Sequence, residues 1–223
     1  MKPSISVRKY CSRGRKIFRE MLQRILLKPA LNLVLKIRIV GRENLAKINP
    51  AKPLIIVANH NSHFDAPLIL TSLPRKLGAT VASAAAADYF FANKSRALWS
   101  RIFFNTFPVD RDGSGAHRGL SEKILASQIP LLIFPEGTRS RDGELGEWHS
   151  GAARLALKSR AAILPVTLVG TFAAWSADRT FWRRGRPAVK IMFREIIKPE
   201  IRETAEHLTA RLRNSVAAGL ARN

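Results

Sequence analysis

The hydrophobic pattern divides the chain into apolar runs of strand length separated by stretches with helical spacing. Leu54-Ile55-Ile56-Val57-Ala58 and Leu131-Leu132-Ile133-Phe134 are unbroken apolar runs, as expected of strands buried on both faces. Further runs near 79–84, 163–168 and 188–193 complete five predicted strands. Apolar residues at three- and four-residue steps predict helices near 64–73, 95–103, 115–127 and 150–159, with a last amphipathic helix near 200–218. Strands alternating with helices predict an α/β fold, a single domain with a largely parallel central sheet flanked by helices. No Pro/Ser-rich linker or internal repeat interrupts the 223 residues, and 46% apolar content suffices for one core.

The start of the chain reads differently. Residues 1–42 carry twelve Lys and Arg against one acid, Glu20, interleaved with Ile17, Phe18, Met21, Leu22, Ile25, Leu26 and Leu27. That spacing predicts a helix with one apolar and one basic side. Such a helix suits a membrane interface, with packing on the domain's own core as the alternative. The expected organisation is therefore a basic amphipathic membrane-docking segment, 1–44, ahead of a globular domain, 45–223.

Charge sharpens the choice of partner. Thirty-eight Lys and Arg against 16 Asp and Glu give +22, which calls for a polyanion, either nucleic acid or an anionic membrane surface. The chain has no helix-turn-helix spacing, zinc-finger pattern or RNP-type aromatic strand, so no specific nucleic acid is expected and a basic nucleic-acid-binding protein is the competing class. Arg179, Phe181, Trp182, Arg183, Arg184 and Arg186 form a second cluster, readable as a membrane rim, a dock for an acidic carrier protein or a solvated loop. No run of about eighteen apolar residues predicts a spanning helix, and the basic N-terminus lacks a signal-peptide core. The expectation is peripheral, monotopic attachment at the cytoplasmic face of a membrane. The single cysteine, Cys11, excludes an intrachain disulfide and suits a reducing compartment.

Candidate chemistry lies just after the two strongest strand runs. Asn59-His60-Asn61-Ser62-His63-Phe64-Asp65 sets a histidine five residues before an aspartate. Five residues of regular helix turn through about 500°, leaving the side chains roughly 140° apart, so the two cannot share a helix face. They meet if His60 lies in the loop and Asp65 in the first helical turn, which Ser62 can cap. Asp65 would then hold the Nδ1 proton and leave Nε2 as a base. An ordinary polar contact is the bland alternative. A metal site on His60, His63 and Asp65 is the sharper one, but His117, His149 and His207 stand in no ligand spacing. Phe134-Pro135-Glu136-Gly137-Thr138-Arg139-Ser140 combines a turn with a hydroxyl and an arginine, a candidate anion site.

These motifs, in this order, resemble the glycerolipid acyltransferase family, typified by the 1-acylglycerol-3-phosphate O-acyltransferases, also called lysophosphatidic acid acyltransferases. His60 and Asp65 match its histidine, four residues, aspartate signature; Phe107-Pro108-Val109-Asp110-Arg111 is similar to its second block. Phe134 to Ser140 match the third, and Ile163-Leu164-Pro165-Val166 is similar to the fourth, so the resemblance covers roughly residues 45–200. Trp148-His149-Ser150-Gly151-Ala152 departs from the pattern, with His149 where many members carry a lysine or similar residue.

The resemblance implies transfer of a fatty acyl group from an acyl-CoA or acyl-carrier-protein thioester to the hydroxyl of a lysophospholipid. The leading acceptor is 1-acylglycerol 3-phosphate, giving phosphatidic acid, with a lyso-aminolipid as an alternative. His60 and Asp65 are the implied catalytic pair, with no cofactor or metal. Arg111 and Arg139 would hold the acceptor's phosphate, helped by Gly137 and Thr138, while Glu136 is expected either to orient an arginine or to cap or brace the turn. Phe90, Phe91, Trp99, Phe103 and Phe104 are candidates either for the acyl-groove wall or for the core.

Overall fold

The computed structural model describes residues 7, 10, 12–86, 94–109 and 119–221. Among these residues seven strands run as β1 (Lys36–Val40), β2 (Leu54–Ala58), β3 (Ala82–Ala86), β4 (Phe107–Val109), β5 (Leu131–Ile133), β6 (Ala162–Val169) and β7 (Ala188–Phe193). They form one sheet in the order β1-β7-β6-β2-β5-β3-β4. Every neighbouring pair is parallel except β6 and β7. This is the single-domain, largely parallel α/β architecture expected from the alternation of patterns.

The central strand explains the continuous apolar run. Leu54, Ile56 and Ala58 of β2 point into one core, with Leu68 and Leu70 of helix α4 (Asp65–Ser72). Ile55 and Val57 point into the other, with Ile124 of α7 (Leu120–Ala126), Ala156 of α8 (Gly151–Ser159) and Leu208 of α10 (Ala205–Leu220). Each fully buried aliphatic side chain contributes about 1.5–3 kcal/mol, so neither face of β2 tolerates a polar residue. Helix α10 lies unusually close to the sheet: a Cβ on Gly219 would stand 2.4 Å from Thr167 Oγ1, whose hydroxyl donates to Val216 O at 3.0 Å.

The differences from the predicted elements have local causes. The predicted strand at 79–84 begins instead at Ala82, because Thr80 and Val81 both donate to Leu77 O and finish the preceding turn. Helix α10 starts at Ala205 rather than 200, where Thr204 Oγ1 accepts the His207 N–H at 3.2 Å. The short helix α9 (Thr171–Trp175) was not predicted, and 115–118 of the 115–127 helix fall outside the described residues. β4 is three residues long and holds Pro108, which an edge strand tolerates. β1 alternates as Lys36-Ile37-Arg38-Ile39, a half-exposed edge strand whose charges merged with the basic segment around it.

That segment is one continuous helix, α1 (Arg13–Met21), a π-helical stretch (Leu22–Leu27) and α2 (Lys28–Val34), with right-handed helical dihedrals at both junctions. Its inward residues are Arg19, Gln23 and Leu31, at four-residue multiples, and Leu35 is buried just after it in extended backbone. In a regular helix that spacing drifts by about 40° per step; the wider π stretch removes the drift and keeps one row facing the domain. At its first end the buried row is polar. Arg19, 3% exposed, donates to Ile102 O, Ala79 O and Asn105 Oδ1 at 3.2, 2.9 and 3.0 Å. Gln23 donates to Phe103 O and Arg24 to Leu73 O, so carbonyls at the C-terminal ends of α6 (Lys94–Phe104) and α4 are satisfied by this helix. Burial, and then Arg15, lowers the Arg19 guanidinium to about 10, still charged near neutrality. The apolar residues point the other way: Ile17, Phe18, Met21, Ile25, Leu26 and Leu33 are all exposed, Ile25 by 70% and Leu33 by 74%.

Candidate active site

The end of β2 is fixed by a side chain. Asn59 donates from Nδ2 to Leu168 O at 2.9 Å and accepts the Leu168 N–H at 2.8 Å, extending the β2–β6 pairing beyond the last strand residue. The chain then turns through 60–64 into α4, whose first residue is Asp65. Asp65 is wholly buried, and its Oδ2 accepts from His60 Nδ1 at 2.8 Å and from the Asn61 and Ser62 N–H groups at 2.7 Å each. The histidine and aspartate therefore meet across the loop-to-helix turn, as their spacing required. The carboxylate on Nδ1 places the proton there and leaves Nε2 as the acceptor. Ser62 does not cap α4 as expected of a leading residue; its hydroxyl donates to Trp175 O at 2.6 Å and accepts the Phe64 N–H at 3.1 Å.

The second motif follows β5 and grips the first. Gly137 donates to Phe134 O at 3.0 Å, closing a turn in which φ of Gly137 is +72°, a conformation suited to glycine. Its N–H is thus occupied by the turn. A Cβ there would make only an ordinary contact with the His149 ring at 3.4 Å, so it is the positive φ rather than space that calls for glycine. His60 is held by both backbone groups: its N–H donates to Glu136 Oε1 at 2.9 Å, and its carbonyl accepts from Ser140 N–H at 2.8 Å. Its ring stacks on Phe134 with centroids 4.0 Å apart.

The Glu136 carboxylate accepts backbone N–H groups of His60 and Gly146 and so braces the two loops against each other, and Arg213 acts on it through its charge. Burial outweighs those bonds and raises the carboxyl from 4.5 to about 7. Arg139 projects from the same loop, with Nη1 2.6 and 2.7 Å from the two ring nitrogens of His63. Burial, and next the Arg139 charge, lowers the His63 pKa, favouring the neutral ring that can accept from a guanidinium. His63 also packs on Trp175, centroids 4.7 Å apart.

The structure thus brings together His60, Asp65, Glu136, Gly137 and Arg139 at the carboxyl ends of β2 and β5. Thr138 is exposed beside them, and no described residue engages its hydroxyl. Arg111 lies outside the described residues, as do Phe90 and Phe91 and the side chain of Trp99. Phe104 packs against the first core, and Phe103 lies 5.9 Å from it, ring to ring. His63 was read only as a metal ligand, yet its ring faces Arg139; among the described residues no three His, Cys, Asp or Glu side chains converge to hold an ion.

A family model described as Acyltransferase matches residues 36–169, which contain both motifs and the turn between β2 and α4. The chain belongs to the acyltransferase family. Among acyltransferase relatives, a 1-acyl-sn-glycerol-3-phosphate acyltransferase of Chlamydomonas reinhardtii is 31% identical over 83% of this chain and 53% of its own length. That of Saccharomyces cerevisiae is 32% identical over 79% of this chain and 58% of its own. The chain therefore spans little more than half the length of these curated acyltransferases. The crystal structure of the 1-acyl-sn-glycerophosphate acyltransferase PlsC from Thermotoga maritima superposes with a TM-score of 0.75 at 26% identity, over 96% of this chain and 85% of that one. The likeness to that structure extends over the N-terminal helix as well as the sheet.

Proposed function

We propose that the protein transfers a fatty acyl group from a thioester of coenzyme A or acyl-carrier protein to the free hydroxyl of 1-acylglycerol 3-phosphate, giving phosphatidic acid. The observation that carries this is the His60–Asp65 pair at 2.8 Å, which leaves Nε2 as an acceptor, in a loop whose His63 meets Arg139. His60 Nε2 takes the proton of the acceptor hydroxyl as its oxygen attacks the thioester carbonyl carbon. The C–S bond then breaks, and the thiolate takes the proton back from the imidazolium. Asp65 holds the ring and offsets its transient charge. A thioester is already activated, so a base, orientation and stabilisation of the oxyanion suffice.

Arg139 binds the acceptor's phosphate, displacing its contact with neutral His63, and Arg111 and Thr138 assist. Glu136 positions the base through its backbone, and Gly137 allows the turn that carries Arg139. The substrates named for the relatives support this choice of acceptor.

The N-terminal helix serves as the membrane dock, with its apolar row of Ile17, Phe18, Met21, Ile25, Leu26 and Leu33 in the acyl boundary. Arg186 Nη2 donates to Asn32 O at 2.7 Å, tying the exposed Phe181 and Trp182 segment to the same helix. No described helix is long and apolar enough to cross a membrane. This reading places the protein peripherally on the cytoplasmic face.

The test is thiol release from long-chain acyl-CoA in mixed micelles, with and without 1-acylglycerol 3-phosphate, by wild type and His60→Ala. Release that needs both the acceptor and His60 is expected. Release independent of His60 refutes the base assignment, and silence with CoA and carrier-protein thioesters and every lysolipid refutes the activity.

A further inference from the structure

A groove of about 1060 Å³ lies between the N-terminal helix and the far end of α4, lined by Ile17, Met21 and Ile25 on one side and Leu45 and Leu73 on another. It is separate from the reaction site. α4 begins at Asp65 and carries the chain away from His60 to Ser72 at the groove. β1 is parallel to β7, and β7 is antiparallel to β6, so helix α3 (Arg42–Ala46), which follows β1, also lies at the end of the sheet opposite His60.

Four cations line this groove, Arg24, Lys28, Arg42 and Arg75, against one acid, Glu20. Arg75 pairs with Glu20, and Arg24 donates to Leu73 O. Among the described residues the Lys28 ammonium and the Arg42 guanidinium have no hydrogen bond or ion pair. Burial, followed by the charges of Arg24 and Arg42, lowers the Lys28 pKa, the direction expected of cations gathered without a counter-charge.

We propose that this groove is a second lipid site, which holds a phospholipid bearing a phosphate monoester headgroup: phosphate on Lys28 and Arg42, acyl chains along Ile17, Met21 and Ile25. Two cations with unused donors, and the Arg24 charge beside them, favour the nearly two negative charges of a monoester over the single charge of a diester. The exposed apolar row flanking them fits chains rather than a free anion. The site rests on the membrane-docking reading and gives it headgroup selectivity: product-like lipid bound here keeps the enzyme where that lipid accumulates.

Two measurements separate this site from docking in general. The first is sedimentation with phosphatidylcholine vesicles containing either phosphatidic acid or a charge-matched amount of phosphatidylglycerol. The wild type should prefer phosphatidic acid by about tenfold, the equivalent of one charge-assisted hydrogen bond that a diester does not match. Lys28→Gln/Arg42→Gln should lose that preference while still binding both vesicles through its apolar row. A preference that survives the double substitution, or is absent in wild type, overturns the site. Its removal by millimolar inorganic phosphate overturns the lipid occupant in favour of a soluble anion. The second uses short-chain phosphatidic acid with a diazirine on one chain, below its micelle concentration, so it holds whether or not vesicles bind. Adducts should map to residues 17–28, 42–46 or 72–75 and vanish in the double variant. Adducts confined to the His60 end of the sheet overturn the groove, whereas failure of wild type to bind any vesicle, with groove adducts present, overturns the docking reading alone.

Discussion

Replacing Asp65 by asparagine changes charge at a position with no room to change shape. Asp65 Oδ2 takes three donors, His60 Nδ1 and the N–H groups of Asn61 and Ser62. The introduced amide would have to place its oxygen there, because its NH2 would meet three donors. That turns the NH2 to the Oδ1 position, which is buried and has no hydrogen-bond partner among the described residues. Burying that donor costs about 1–3 kcal/mol, and weakening three charge-assisted bonds costs a similar amount. The melting temperature should fall by roughly 5–15 °C for a domain of this size.

The catalytic loss has a separate origin. An imidazolium and a carboxylate with centres about 4 Å apart attract by about 4 kcal/mol at an effective dielectric of about 20. Losing that attraction when His60 takes the proton should lower kcat by about three orders of magnitude. The apparent KM of either substrate should hold, since no substrate atom touches Asp65. Steady-state thiol release and thermal unfolding on the same preparation check both halves. A folded variant retaining kcat within tenfold of wild type would refute the role given to the aspartate.

Three further outcomes are expected. Arg139→Ala should raise the apparent KM for the lysolipid by about ten- to a hundredfold, one or two charge-assisted bonds, and leave that for the thioester unchanged; steady-state kinetics with each substrate varied decides it. Glu136 has its folded pKa raised to about 7 from 4.5, so the stability this proton confers is complete below about 4.5 and lost as pH rises through about 7. The stability of wild type relative to Glu136→Gln should therefore grow by on the order of 2 kcal/mol from pH 8 to pH 5, measured by urea unfolding; a flat difference would contradict it. Arg19→Met should destabilise by about 3 kcal/mol, because it strands two buried carbonyls and Asn105 Oδ1, and calorimetry should show this in buffer without lipid.

Both motifs could be read in the sequence because each follows a strand whose two faces are buried, so the apolar run fixed where the loop begins. The His60 to Asp65 spacing excluded a shared helix face and so forced the loop-to-helix geometry that is found. What stayed hidden depends on contacts between distant residues. Nothing near Glu136 indicates that its partner is the His60 backbone, and nothing near His63 points to Arg139. The N-terminal helix was legible as amphipathic, but not which side faces inward. Periodicity reports that two faces exist; the free carbonyls at Ala79, Ile102 and Phe103 are what select the polar one. β1 was lost because an edge strand with Lys36 and Arg38 has the same composition as the helix before it.

The hold of the second loop on His60 carries a consequence for how the enzyme is made. The partners Glu136 and His60 are 76 residues apart, and Ser140 closes the same clamp. A chain leaving the ribosome therefore carries its histidine long before it carries the groups that set it. β5 joins β2 directly, but β6, which pins Asn59, is synthesised later still. Nascent and half-folded chains should thus be inert toward thioesters, and reactivity should switch on only when the sheet closes. For the proposed reaction, that order would keep unfinished protein from hydrolysing the activated donor.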